Sequence, residues 1–343
     1  MHMADALLSP AVGATMWAGS MAAIGYSSKK LKENIDNKTI PLMGIMGAFI
    51  FAAQMINFTI PGTGSSGHIG GGMILTVILG PYAAFLAIAS VLMVQALFFA
   101  DGGLLALGCN IWNLGIFPCF IAYPLIYKPI AGDGKNARRI YIAAIVSVII
   151  ALQLGAFSVV LETIFSGKSE LPFGTFVLLM QPIHLAIGLV EGIITAGIIS
   201  YVKKVRPEIL QASNTLRPLD AGISIKNVLV AFVILAVITG GALSWFASTH
   251  PDGLEWSIEK VTGKGELAKA TQGIAPALKE IQEKTAFLPD YGFKPAVKEE
   301  PKENEAPAWP GIEAGTSVAG IVGGAIVLMF ILFIGFGIRL FKK

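Results

Sequence analysis

The chain alternates between long apolar stretches and short polar connections. Apolar runs occupy about residues 10–26, 41–58, 69–99, 103–126, 140–166, 174–202, 226–247 and 315–338, lengths that suit helices spanning a hydrocarbon core about 30 Å thick. The connections divide by charge. Segments 29–38 (Lys29, Lys30, Lys32, Lys38), 128–139 (Lys128, Lys135, Arg138, Arg139), 203–226 (Lys203, Lys204, Arg206, Arg217, Lys226) and the end (Arg339, Lys342, Lys343) are basic and are expected in the cytoplasm. Segments 58–68 and 100–102 hold no Lys or Arg and 167–173 holds only Lys168, so these are expected outside. The assignment requires the run 69–99 to enter and return, with the turn at Gly80-Pro81. Its first leg, Gly70 to Gly80, is too short to cross and is expected to be a half-helix buried among its neighbours. The pattern predicts an all-α polytopic membrane protein. A seven-helix unit with one short broken helix and an extracytoplasmic amino terminus precedes a two-helix unit, which frames a long outer loop, 248–314, and ends in the cytoplasm.

Composition strengthens this picture. Hydrophobic residues make up 54% of the chain and charged residues only 14%, with a mean hydropathy of +0.70, which places the chain in a lipid bilayer. A net charge of +3 gives no reason to expect a nucleic-acid partner. No basic cluster and cleavage pattern of a signal peptide opens the chain, so Met1 is expected to stay, with a free amine. Cys109 and Cys119 lie in one apolar run and read as packing residues.

Candidate chemistry begins at Met1-His2. The terminal amine, the deprotonated His2 amide and the ring nitrogen nearest the His2 Cβ close a five- and a six-membered ring around one divalent ion. They supply three nitrogens in a plane and leave a fourth position open, a geometry suited to Ni(II) or Cu(II) more than Zn(II) or Mg(II). The topology puts His68, at the end of the glycine-rich segment 57–67, on the same side of the membrane as this terminus. That segment contains Gly62-x-Gly64-x-x-Gly67 but no strand is expected before it, so it does not read as a dinucleotide site. The broken run that follows is of the type that marks binding sites in transporters.

Met1-His2-Met3-Ala4-Asp5-Ala6-Leu7-Leu8-Ser9, Ser65-Ser66-Gly67-His68, Asp101-Gly-Gly-Leu-Leu-Ala-Leu-Gly108 with Asn110 and Asn113, and His184-Leu-Ala-Ile-Gly-Leu-Val-Glu-Gly192 resemble the substrate-binding component of nickel and cobalt energy-coupling factor transporters. His250-Pro-Asp-Gly-Leu-Glu-Trp256 and Phe287-Leu-Pro-Asp-Tyr-Gly-Phe293 resemble the N-type accessory component, here fused behind the first. The family's usual start has Gly where this chain has Ala6. The resemblance implies a capture domain at 1–215 and an accessory domain at 216–343. It also implies metal ligands at Met1, His2 and His68, Ni2+ or Co2+ as the transported ion, and partners in the form of a membrane coupling subunit and paired cytoplasmic ATPases. No phosphate-binding Gly-x-x-x-x-Gly-Lys-Ser/Thr stretch occurs here, so ATP hydrolysis is expected in the partners, and the resemblance implies a chain that is neither an enzyme nor the holder of a cofactor.

The other polar residues admit two readings each. Asp101 either orients His2 or His68 by accepting a ring N–H or caps the helix over 103–126. His184 and Glu191, on one helical face about 10 Å apart, read as a helix-packing network more than as a second metal site. Asn57, Asn110 and Asn113 are candidate pocket hydrogen bonders. Loop 248–314 carries 12 acidic residues against 8 lysines and reads as a solvated surface with an amphipathic stretch near 265–286 and a Pro- and Glu-rich linker over 289–310; His250 is not expected at the metal. Two rival classes remain. A proton-coupled secondary transporter would show paired mid-membrane carboxylates and internal repeats and would work without ATPases. An intramembrane metalloenzyme would need an open coordination position beside a general base.

Overall fold

The computed structural model describes residues 2–168, 171–220, 222–263, 274–294 and 309–340. It is helical almost throughout. α1 (Pro10–Asn34) starts where Ser9 accepts the Val12 amide at 3.3 Å and Pro10 takes the first helical position. α2 (Thr39–Gln54) leads into a hairpin of β1 (Phe58–Ile60) and β2 (Ser65–Gly67), paired antiparallel with Phe58 opposite Gly67. Three residues of strand therefore do precede Gly62, contrary to the sequence expectation. The chain turns back as a hairpin instead of entering a helix at Gly67, so the dinucleotide pattern still fails.

The run 69–99 is broken as its glycine and proline require. α3 (Gly72–Leu79) has eight residues, about 12 Å at 1.5 Å per residue, and all but its last residue are buried. Gly80, at φ 80°, reverses the chain, and Pro81 opens α4 (Pro81–Phe98). Next come α5 (Leu107–Ala131), whose middle winds as a π-helix around Pro118 and Pro124, α6 (Ala137–Ser166), α7 (Phe173–Val205) and the short α8 (Pro207–Thr215). Among the described residues, five helices are long and apolar enough to cross a bilayer: α4, α5, α6, α7 and the last one, α12 (Ala314–Leu340). α2 and α9 (Lys226–Gly241) are apolar but have only 16 residues each. α1 has 25 residues and ends in the polar stretch Ser27 to Asn34.

α9 and α12 lie against α2, and α12 also touches α4. The close approach shows in small residues: a Cβ at Gly323 would sit 2.2 Å from Phe51, and one at Gly320 would sit 2.3 Å from the Gly240 carbonyl. Between α9 and α12, α10 (Gly253–Thr262) and α11 (Ala275–Thr285) cover one end of the bundle. The expectation of a solvated outer loop is corrected here. Ser66 donates its amide to the Pro251 carbonyl at 2.8 Å, and the Trp256 indole donates to Thr63 O at 3.0 Å. Gln282 donates to the carbonyls of Ala96 and Gly102 at 2.8 and 2.7 Å, and the Asp290 amide donates to Phe99 O at 2.8 Å. Residues 264–273, within the expected amphipathic stretch, and 295–308, most of the presumed linker, lie outside the described residues.

Candidate metal centre

Met1 lies outside the described residues; the site begins with His2. The backbone just after it is clamped. Asn110 Oδ1 accepts the Met3 amide at 2.8 Å, the Gly103 amide donates to Met3 O at 3.0 Å, and the Met3 side chain is fully buried. Two residues on, Asp5 Oδ1 accepts the Ala106 amide at 2.9 Å. The clamp depends on Gly102-Gly103. Gly102 has φ 78°, and a Cβ there would lie 2.8 Å from Asn110 Nδ2. A Cβ at Gly103 would lie 1.8 Å from Asp5 Oδ1. The sequence turns this corner with glycines because the terminal segment passes directly against it.

His68 arrives from the other side, on the residue after β2. Its Nδ1 lies 3.0 Å from the Ile69 carbonyl. A carbonyl only accepts, so Nδ1 carries the proton and Nε2 carries the lone pair. The His2 and His68 rings stack at a centroid distance of 5.1 Å and an interplanar angle of 12°. His2 Nδ1 lies 3.2 Å from Asp101 Oδ1, while the buried His2 Nε2 has no hydrogen-bond partner among the described residues. Burial pushes both imidazoles down to about 3. The His2 to Asp101 contact is therefore a hydrogen bond from a neutral ring to a carboxyl and not a full ion pair. Burial raises the Asp101 carboxyl, against the lowering effect of the Tyr291 hydroxyl, which lies 2.5 Å from Oδ2.

Asp101 thus contacts His2 and does not cap a helix, since the following helix starts at Leu107 with Ala106 as its cap. The ring nitrogen that the sequence reading gives to the chelate, Nδ1 of His2, is the one facing Asp101. Asn110 reaches the site by holding Met3. Asn113 points past it to Glu162, at 2.9 Å, and its nearest link to the terminus is the Met3 sulfur at 4.0 Å. Asn57 is not brought to the pair: its carbonyl accepts the Ser248 amide, and its buried Oδ1 has no hydrogen-bond partner among the described residues. His250 is exposed, and its carbonyl accepts the Ser66 hydroxyl at 2.7 Å.

Glu191 supports the His68 loop from below. Its two oxygens accept the Gly70 and Gly71 amides at 2.7 and 2.8 Å, satisfying backbone donors at the start of the half-helix α3. His184 donates Nδ1–H to the Met180 carbonyl at 2.7 Å and shares a small cavity with His68 and Asp252. Sequence reasoning missed Asp252, Tyr291 and Glu162. For Asp252 a signal existed, because Asp252-x-x-Glu255 is a capping box and the side chain accepts the Leu254 and Glu255 amides at 2.8 and 2.9 Å. Among the described residues no three His, Cys, Asp or Glu side chains converge as a metal site. Side chains alone do not complete a centre there.

Comparison with known proteins gives this pair its setting. Residues 2–209 match the family of the cobalt uptake substrate-specific transmembrane region, and residues 226–340 match the PDGLE domain. An Archaeoglobus fulgidus relative provisionally named a fused nickel transport protein is 34% identical over 96% of both chains. The fused nickel transport protein of Rhodobacter capsulatus is 30% identical, covering 85% of this chain and 88% of its own. A crystal structure of a transition metal transporter, 31% identical, superposes with a TM-score of 0.53 over 63% of this chain and all of its own. The chain belongs to the family of cobalt-uptake substrate-specific transmembrane proteins, carries a PDGLE domain behind that region, and is a component of a nickel or cobalt transporter and not an enzyme.

Proposed function

We propose that this chain captures Ni2+ from outside the cell in a square-planar site of four nitrogens: the Met1 amine, the His2 amide, His2 Nδ1 and His68 Nε2. Residues 1–215 form the capture unit and 216–343 the accessory unit. A membrane coupling subunit and paired cytoplasmic ATPases drive the inward step. The observation that carries the reading is the stacked pair of neutral imidazoles, 5.1 Å apart, at a terminus whose next residue is clamped by Asn110 and Gly103. Burial keeps both rings neutral, which a metal ligand requires. Coordination through Nδ1 would need the proton of the neutral His2 ring to sit on Nε2, so the Nδ1 contact with Asp101 at 3.2 Å belongs to the metal-free ring. Planar nitrogen coordination and the usual affinity order favour Ni(II) over Co(II).

The visible spectrum of the purified Ni2+ complex tests this. A planar four-nitrogen site gives a yellow, diamagnetic complex. A pale green, paramagnetic complex would mean that oxygen donors complete an octahedron and would exclude the proposed ligand set.

A further inference from the structure

A cavity opens onto His2 from the covered end of the bundle, and both units form its wall. The first contributes Asp5 and Asp101; the second contributes Asp252, Glu255, Glu283 and Asp290. Against these six carboxyl groups, Lys279 is the one basic side chain on the wall among the described residues. The wall is held in place by Gln282, which ties α11 to the Ala96 and Gly102 carbonyls. Lys279, Gln282 and Glu283 follow the i, i+3, i+4 spacing of one helix face and line the cavity. Glu280 and Lys284 are absent from that lining and pair with each other at 2.6 Å.

An acidic wall alone is commonplace, but this one ends on His2, a ring of the proposed chelate. The His2 side chain is 8% exposed, and its buried Nε2 has no hydrogen-bond partner among the described residues. An acidic cavity with low-dielectric walls concentrates cations and raises their rate of encounter with whatever lies at its end. We infer that the two units jointly build an anionic vestibule that gathers hydrated divalent cations and delivers them to His2. The inference rests on the capture reading and adds a role to it. The outer-wall carboxylates Glu283 and Asp290 act on the rate of arrival while the ion keeps its water, and the nitrogens set the affinity.

The test is stopped-flow association of Ni2+ alone with the purified full chain across ionic strength. The Glu283→Gln/Asp290→Asn double variant changes exposed charge at constant shape, and Asn tolerates the φ of 50° at position 290. At low salt its association rate constant should fall about three- to tenfold. Lys279→Gln should raise the rate, and Glu280→Gln should leave it unchanged. Dissociation rates should match the parent chain, and the differences should vanish near 1 M salt, where the Debye length is about 3 Å. Normal Ni2+ uptake with equal association rates at low salt, both charge changes acting in one direction, or differences that persist at high salt would each overturn the vestibule alone. A parent chain that takes up no Ni2+ contradicts the capture reading itself.

Discussion

The Tyr291 hydroxyl lies 2.5 Å from Asp101 Oδ2, joining residues 190 positions apart, and the other oxygen of that carboxyl lies 3.2 Å from His2 Nδ1. Among the contacts between the C-terminal segment and the N-terminal bundle, this one reaches the carboxyl group that faces His2. Asp101→Asn should weaken Ni2+ binding by about 10- to 100-fold, the usual effect of losing a carboxylate that orients a ligating histidine. Tyr291→Phe should cost less, because the ring stacked on Phe99 at 5.1 Å remains and only the hydroxyl is lost. Titration calorimetry of the two variants checks the order; an unchanged affinity in Asp101→Asn would remove the carboxyl from the account.

Much of the frame was legible in the sequence. Gly80-Pro81 marked the break, because glycine supplies the positive φ and proline the helix start. Charge placed His68 on the same side as His2, and the two rings do stack. What lay hidden depends on contacts distant in sequence. α11 reads as a solvated helix because its Lys and Glu residues dominate its composition, and only the fold shows Gln282 and Thr285 bonded to carbonyls at the end of α4 and in the loop beyond it. Strands of three residues are too short to show an alternating pattern. The partner of Glu162, Asn113, comes from another helix, so neither residue announces the pair.

Gly103 should tolerate no side chain. Gly103→Ala places a methyl 1.8 Å from Asp5 Oδ1, so the terminal segment must leave its clamp. Ni2+ binding in equilibrium dialysis should be lost while the helical circular dichroism stays. Full binding by this variant would show that the clamp on Met3 is dispensable.

Glu191 holds the His68 loop through two charge-assisted hydrogen bonds. Glu191→Gln turns one acceptor into a donor facing an amide N–H. The loss should be about 1.5–3 kcal/mol for the affected bond, read as a lower unfolding temperature in detergent, with weaker Ni2+ binding because His68 is two residues from Gly70. Unchanged values for both would mean that the half-helix is held elsewhere.

Acid should loosen the metal-free chain. His2 and His68 are pushed down to about 3, chiefly by burial, from an ordinary value of 6.5. Between those values the unfolded chain binds more protons than the folded one, so stability rises with pH across the window and is lost as pH falls from about 6.5 toward 3. Thermal unfolding at a series of pH values should show this slope. In His68→Gln the slope should be shallower, which separates the histidine from carboxyl groups titrating nearby. Equal slopes in the two chains would contradict the burial of a neutral His68.

The central claim is that the free terminus is itself a ligand, and one residue placed before Met1 tests it most directly. The addition turns the amine into a peptide nitrogen and lengthens the segment entering the clamp, with His2 and His68 untouched. Equilibrium dialysis against Ni2+ should show binding abolished by that extension and retained when the same residue follows Lys343. Equal Ni2+ retention by the two chains would contradict the proposed site.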